Sequence, residues 1–166
     1  NAKMGQTYVL LTDGEGCYLY GVQLGDMLRY ADCTYVLGKS SYADLSGCRD
    51  ILAGNALYAF SSLKNYMYYA IGDTVYRVDL HSDRPKEEVQ FVLKGETITC
   101  LKFNLYQNAE NMNRSYDLIV GSCKGEEGML RIYEGRESDG DFRNVTPVSY
   151  DGFARIADVC FKERIY

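Results

Sequence analysis

The segment Tyr150-Asp-Gly-Phe-Ala-Arg155 gathers two aromatic rings and two opposite charges within six residues. An aromatic face can stack on a sugar ring, while charged side chains hydrogen-bond to the hydroxyl groups of the sugar. Loops on a rigid scaffold are where binding residues concentrate, and two further loops with Gly each carry a lysine. The expected ligand site consists of Tyr150, Asp151, Phe153, Arg155, Lys94 and Lys124. A structural turn that positions the next strand is the alternative interpretation of the 150–155 segment.

Motifs for catalysis give no reaction. His81 is the single histidine and lies in a polar stretch, whereas a catalytic triad needs its His held between a nucleophile and an acid. The run Gly38-Lys39-Ser40 imitates the end of a phosphate-binding loop, but Cys33 stands where that motif requires Gly. A glycosidase needs two carboxylates roughly 5–10 Å apart, and the 23 acidic residues keep that alternative open. We expect no enzyme and name no catalytic residue.

Metal and redox motifs are equally weak. The six cysteines contain no CxxC pair, which argues against a zinc ribbon or a thioredoxin-like motif. We expect them to be mostly free and to act as small apolar groups. The acidic turns at 13–15 and 137–141 could hold Ca²⁺, but they lack the EF-hand spacing and Asp-Gly is common hairpin chemistry. The expectation is no cofactor and no metal site, with Ca²⁺ as the alternative.

Length and composition describe a β protein rich in tyrosine. The chain has 166 residues, a net charge of −5, 16 Tyr and 16 Gly, and its length fits one domain. An acidic chain is a poor partner for nucleic acid, because affinity there comes from Lys and Arg neutralising phosphates. No run approaches the roughly 18 apolar residues of a membrane helix. We assign most of the tyrosines to packing, since Tyr favours strands.

Three segments share one pattern, an aromatic-led strand, a short turn with Gly or Asp and a second strand. They run from Tyr8 to Tyr20, from Tyr66 to Asp79 and from Tyr116 to Tyr133. Gly and Asp favour the backbone angles of tight hairpin turns, so the pattern predicts three β-hairpins. A different strand recurs at 98–103 and 156–161, where both segments follow the pattern Ile-x-x-(Leu/Val)-x-Phe.

The spacing of these units, about 50 to 60 residues, is close to that of four-stranded propeller blades. The predicted inner strands are 98–103 and 156–161, with a weaker one at 56–60, and the predicted outer strands are 26–37, 87–93 and 142–150; residues 45–53 are left unassigned. The prediction is an all-β chain of β-propeller-like repeats in a single segment, 1–166. Its blade-like repeats are approximately 1–45, 50–95 and 97–150, with a final inner strand at 154–166. Propellers have typically 4–8 blades, so about three blades' worth predicts part of a larger or multi-chain propeller. A Greek-key sandwich is the rival fold, but it does not predict three recurrences of one hairpin.

Four stretches resemble a known family. They are Tyr69-Ala-Ile-Gly-Asp-Thr-Val-Tyr-Arg-Val-Asp79, Ile98-Thr-Cys-Leu-Lys-Phe-Asn104, Leu118-Ile-Val-Gly-Ser122 and Tyr150-Asp-Gly-Phe-Ala-Arg-Ile-Ala-Asp-Val159. Together they resemble the C-terminal β-propeller region of PKD-like family lipoproteins of gut Gram-negative bacteria, over about residues 66–163. The resemblance implies a lipid anchor outside this chain and a place at the outer-membrane surface or in the periplasm, often near glycan-uptake systems. It carries over no catalytic residue.

The expected function is a non-enzymatic binding or scaffold module for surface glycan capture or partner docking. The alternatives are a glycan-active enzyme, either a glycoside hydrolase or a lyase, and a protein–protein adhesion or assembly module. Expected partners are a glycan, and a second copy of the chain or the remaining portion of the propeller. Nucleic acid and a membrane span within the chain are not expected.

Overall fold

The computed structural model describes residues 6–12, 17–23, 43–44, 56–61, 66–80, 82–107, 114–135 and 140–159. Within these ranges the chain forms β-strands and no helix, which confirms the all-β prediction. The strands are β1 (Gln6–Thr12), β2 (Cys17–Gln23), β3 (Ala43–Asp44), β4 (Leu57–Ser61), β5 (Tyr66–Ile71), β6 (Thr74–Asp79), β7 (Glu87–Val92), β8 (Thr97–Gln107), β9 (Arg114–Lys124), β10 (Glu127–Glu134) and β11 (Val148–Phe153).

The first of two compact units comprises Asn1–Gly54 and Leu80–Lys86. Its sheet has the order β1-β2-β3. The β1–β2 pair is antiparallel over the full length of both strands, which confirms the first predicted hairpin. The predicted outer strand at 26–37 and the unassigned stretch at 45–53 lie outside the described residues.

The second unit comprises Asn55–Asp79 and Glu87–Tyr166. It contains two four-stranded antiparallel sheets, β4-β5-β6-β7 and β8-β9-β10-β11, in which every strand pairs with the next one along the chain. The second and third predicted hairpins are therefore confirmed as β5–β6 and β9–β10. Their turns place Gly72 at φ 61° and Gly125 at φ 63°, a conformation that Gly adopts without strain. The strands predicted at 56–60, 87–93 and 98–103 form β4, β7 and β8.

A joint core fills the space between the two sheets of this unit. Its buried members are Ala59, Tyr68, Ala70, Val75, Ile98, Leu101, Tyr116, Leu118, Val120, Tyr133 and Phe142. Strand β4 packs against β8, and Phe91 of β7 stacks on Tyr133 of β10 with ring centroids 4.3 Å apart. Aromatic pairs of this kind stabilise a core beyond the area that they bury. Burial raises the pKa of Tyr133 to about 12, as expected for a phenol in apolar surroundings.

The outer strand predicted at 142–150 is wrong in position, because the strand runs from Val148 to Phe153. Phe142 is instead a core residue, 1 % exposed, and its backbone N–H donates to Oε1 of Gln90 at 2.9 Å. The hydroxyl of Tyr68 donates to the carbonyl of Gly140. These bonds attach the 140–147 segment to the β4-β5-β6-β7 sheet. The segment precedes β11 and does not itself pair as a strand.

The inner strand predicted at 156–161, and with it the final strand at 154–166, is absent from the part of these ranges that the structure describes. Residues 154–159 belong to no strand, and 160–166 lie outside the described residues. The segment contacts β8 and β9 through side chains, because the hydroxyl of Thr99 donates to the carbonyl of Ile156 and Lys102 pairs with Asp158 at 2.5 Å. A Cβ atom on Gly121 would lie 3.0 Å from Cγ2 of Ile156, so the glycine leaves room for this side chain.

Candidate functional site

Two turns lie side by side at one end of the second unit. The backbone N–H of Leu93 donates to the carbonyl of Asp73 at 2.8 Å, and that of Ile98 donates to the carbonyl of Gly72 at 2.7 Å. The β5–β6 turn is thereby fixed to the connection between β7 and β8. Glu96 belongs to this connection, so the two hydrogen bonds hold the backbone on both sides of it.

A cleft of about 490 Å³ lies beside the β9–β10 turn. We call it the turn cleft, and its lining residues are Glu96, Lys124, Glu127, Gly128, Met129, Asp151, Gly152 and Phe153. The lining combines carboxylates and one ammonium with two apolar side chains. Ligand pockets of roughly 300–1,000 Å³ with a few convergent polar groups are typical of small-molecule sites.

A largely buried ion pair holds Glu96, one of the lining residues of the turn cleft, in place. The guanidinium of Arg131 donates to both carboxylate oxygens of Glu96, at 2.7 and 2.8 Å, and to Oγ of Ser122 at 2.8 Å. The Ser122 hydroxyl donates to Glu96 at 2.6 Å and is fully buried. Hydrogen bonds from Arg131, followed by the one from Ser122, lower the pKa of Glu96. Glu96 is therefore a fixed carboxylate whose charge is compensated by Arg131.

The end of β11 supplies another part of the lining. Strand β11 pairs with β10, and the register shifts between Gly128 and Leu130. A Cβ atom at position 128 would lie 1.9 Å from the carbonyl oxygen of Ala154, so only glycine permits this close approach. Gly152 has φ 79°. The bulge and the left-handed glycine bend the strand and set Asp151 and Phe153 beside the β9–β10 turn.

Three of the predicted site residues, Lys124, Asp151 and Phe153, line the turn cleft, and the other three do not. Tyr150 is exposed on β11 opposite Leu130. Lys94 is exposed in the β7–β8 connection, and Arg155 is exposed after β11. The turn cleft therefore brings together three of the six predicted residues, along with residues that the prediction did not include.

The residues missing from the predicted site are Glu96, Glu127 and Met129, together with Arg131 behind them. A sequence signal for Arg131 existed. In Met129-Leu-Arg-Ile-Tyr133 the alternation of a strand puts Arg131 on the same face as Met129 and Tyr133, and Tyr133 belongs to the core. A charged side chain on an inward face needs a partner, which points to a nearby carboxylate.

The remaining motifs of the sequence analysis concern metal binding, catalysis and cysteine chemistry. No group of three or more His, Cys, Asp or Glu side chains that could hold a metal ion occurs in the described ranges. His81, residues 38–40 and the acidic turn at 13–15 lie outside the described residues, as does most of the turn at 137–141. Cys100 and Cys123 are free thiols. The described residues contain no helix long and apolar enough to cross a membrane.

Comparison with known proteins adds no assignment. No protein-family model matches the chain, and no curated protein matches it.

Proposed function

We propose that the chain is a β-propeller segment similar to the C-terminal region of PKD-like family lipoproteins, and that its second unit supplies two blades. Support comes from the two sheets, each a meander of four consecutive antiparallel strands, which is the connectivity of propeller blades. The packing of β4 against β8 also supports it, because inner strands of neighbouring blades lie close together. The family resemblance supports a lipid anchor outside this chain and a place at the outer-membrane surface or in the periplasm.

The function proposed for this segment is non-enzymatic glycan binding in the turn cleft. The observation that carries it is the exposed ring of Phe153, 46 % accessible, in one cleft with Met129, Asp151 and Lys124. A sugar presents an apolar C–H face and a rim of hydroxyl groups that both donate and accept hydrogen bonds. The aromatic ring and the thioether suit the face, while a carboxylate acceptor and an ammonium donor suit the rim.

Isothermal titration of the chain with a panel of neutral hexasaccharides tests this proposal. Phe153→Ala is expected to weaken the affinity about tenfold, since losing an aromatic contact removes roughly 1–1.5 kcal/mol. Val148→Ala is the matched control, because Val148 is equally exposed on the same strand and does not line the turn cleft. Affinity unchanged by Phe153→Ala would contradict the proposal. Release of reducing sugars during incubation would point to the enzymatic alternative.

The outer edge of β11 favours a second candidate function, docking of another polypeptide. All six residues of β11 are exposed, with Val148, Tyr150 and Phe153 as large apolar side chains, and β11 ends its sheet. An edge strand with apolar side chains can pair with another chain. Light scattering is the test, and Val148→Lys is expected to abolish any self-association while leaving the titration with glycans unchanged.

A further inference from the structure

We propose that the turn cleft selects neutral glycans and rejects acidic ones such as uronates and sulfated sugars. This inference rests on the proposed glycan-binding function and adds the class of glycan to it. It follows from the balance of charges around the cleft, taken group by group.

The charge of Glu96 is compensated by Arg131. Both of its oxygens accept hydrogen bonds from Arg131, and the two side chains are only 16 % and 12 % exposed. The guanidinium is committed to this carboxylate and to Ser122. An acidic sugar therefore gains no bidentate contact from Arg131 unless it displaces Glu96, which would leave a largely buried carboxylate without its main partner.

Three exposed charges remain at the mouth of the cleft, namely Lys124, Glu127 and Asp151. Lys124 lies directly opposite Glu127 across the β9–β10 pair, so its ammonium is partly offset by the neighbouring carboxylate. The mouth thus presents two carboxylates against one ammonium. An acidic sugar stacked on Phe153 would meet this excess negative charge, whereas neutral hydroxyl groups would find acceptors and a donor.

The experiment compares two ligands of the same stereochemistry. The neutral hexasaccharide that binds the chain most tightly is titrated beside its counterpart oxidised to uronic acid at C6. At about 0.01 M salt, where charges interact over roughly 30 Å, the acidic counterpart is expected to bind roughly tenfold more weakly. At about 1 M salt, where that distance falls to roughly 3 Å, the difference is expected to shrink severalfold.

Variants assign the effect to the cleft. Glu127→Gln removes one of the two carboxylates. At low salt it is expected to reduce the ratio of the affinities for the neutral and the acidic hexasaccharide severalfold. Glu134→Gln is the matched control, because Glu134 is an exposed glutamate at the other end of β10 and does not line the cleft. Equal or tighter binding of the acidic ligand at low salt would overturn the inference while leaving glycan binding intact. If neither class of hexasaccharide binds, the proposed function itself fails.

Discussion

Replacing Arg131 by methionine tests the ion pair that holds Glu96 in place in the turn cleft. Methionine replaces the apolar stem of the arginine with another unbranched side chain. The change removes the three hydrogen bonds that the guanidinium donates, two to Glu96 and one to Ser122. Glu96 then retains the hydrogen bond from the Ser122 hydroxyl, 2.6 Å long. The perturbation therefore leaves a carboxylate in a largely dry position without its counter-charge.

The size of the effect follows from the burial of the pair. Side-chain exposures of 12 % for Arg131 and 16 % for Glu96 place it near the buried limit. Breaking a fully buried pair costs roughly 3–5 kcal/mol, and the remaining exposure lowers our expectation to about 2–4 kcal/mol. For a chain of this size, each kcal/mol moves the melting temperature by roughly 2–4 °C. Arg131→Met is thus expected to lower Tm by about 5–15 °C.

Urea unfolding of Arg131→Met, Glu96→Gln and the double variant measures the coupling. We expect the double variant to be more stable than the sum of the single changes implies, by about 1–3 kcal/mol. Arg143→Met is the matched control, because Arg143 pairs with Asp141 at the surface and such pairs contribute roughly 0–1 kcal/mol. If Arg131→Met costs no more than Arg143→Met, or if the two single changes are additive, the reasoning about this ion pair is refuted.

The pH dependence supplies an independent check. Because the pKa of Glu96 is lowered in the folded protein, the pair stabilises the fold above the pKa that Glu96 has in the unfolded chain. This stability is lost as the pH falls through the lower pKa of the folded state. Arg131→Met removes the main cause of that lowering. Its stability should therefore decline less than that of the unchanged chain between about pH 5 and pH 3.

Three further predictions concern the scaffold. Phe142→Ala should cost roughly 3–5 kcal/mol in urea unfolding, because the ring is 1 % exposed in the aromatic core; a loss below about 1 kcal/mol would show that the core does not depend on it. Gly128→Ala should lower Tm and weaken glycan binding together, since its Cβ would overlap the carbonyl of Ala154; unchanged titration would show that the end of β11 does not shape the cleft. Reductant should leave Tm unchanged, because Cys100 and Cys123 are free and no cysteine is expected to hold the fold; a fall of more than roughly 10 °C would reveal a disulfide contribution of a few kcal/mol.

The hairpins were predictable because their information is local. Alternating side chains define a strand, and Gly72 and Gly125 supply the left-handed angle where each turn requires it. Both strands of such a hairpin lie within one short stretch of sequence. No distant residue is needed to decide their register, so the sequence pattern was sufficient.

The segment at 142–150 shows where an apolar pattern misleads. Phe142 and Val145 do lie in or against the core, but they are three positions apart, so a regular strand would put them on opposite faces. A strand also requires a neighbouring backbone. The N–H of Phe142 donates to the side chain of Gln90, 52 positions earlier in the chain, and no local pattern records a partner so distant.

The candidate site was predicted in part for a related reason. Grouping 150–155 as one loop placed Tyr150 with Phe153, but the segment is mostly strand. The register shift between Gly128 and Leu130 interrupts the alternation of β11, so that Tyr150 lies opposite Leu130 and Phe153 lies opposite Gly128. Asp151 and Phe153 line the turn cleft because they lie at the end of β11 beside the β9–β10 turn, whereas Tyr150 pairs farther along β10 and does not line it. The position of Glu96 depends on its hydrogen bonds with Ser122 and Arg131, which are 26 and 35 positions away in the chain and cannot be read from a local pattern.

The recurring Ile-x-x-(Leu/Val)-x-Phe pattern also recurs in side-chain packing, although residues 156–159 of its second copy form no strand. Its first copy lies in β8, whose Ile98 and Leu101 face the core that β8 shares with β4. Gly121 of β9 points to the opposite face of the same sheet, because Val120 beside it belongs to the core. Ile156, which begins the second copy, packs on that opposite face. The leading isoleucine of each copy therefore packs on the sheet that precedes it in the chain. Ile98 packs toward the β4-β5-β6-β7 sheet, and Ile156 packs on the β8-β9-β10-β11 sheet. Side-chain packing repeats in the structure as the sequence does, and a backbone ladder is a separate condition that 156–159 do not meet.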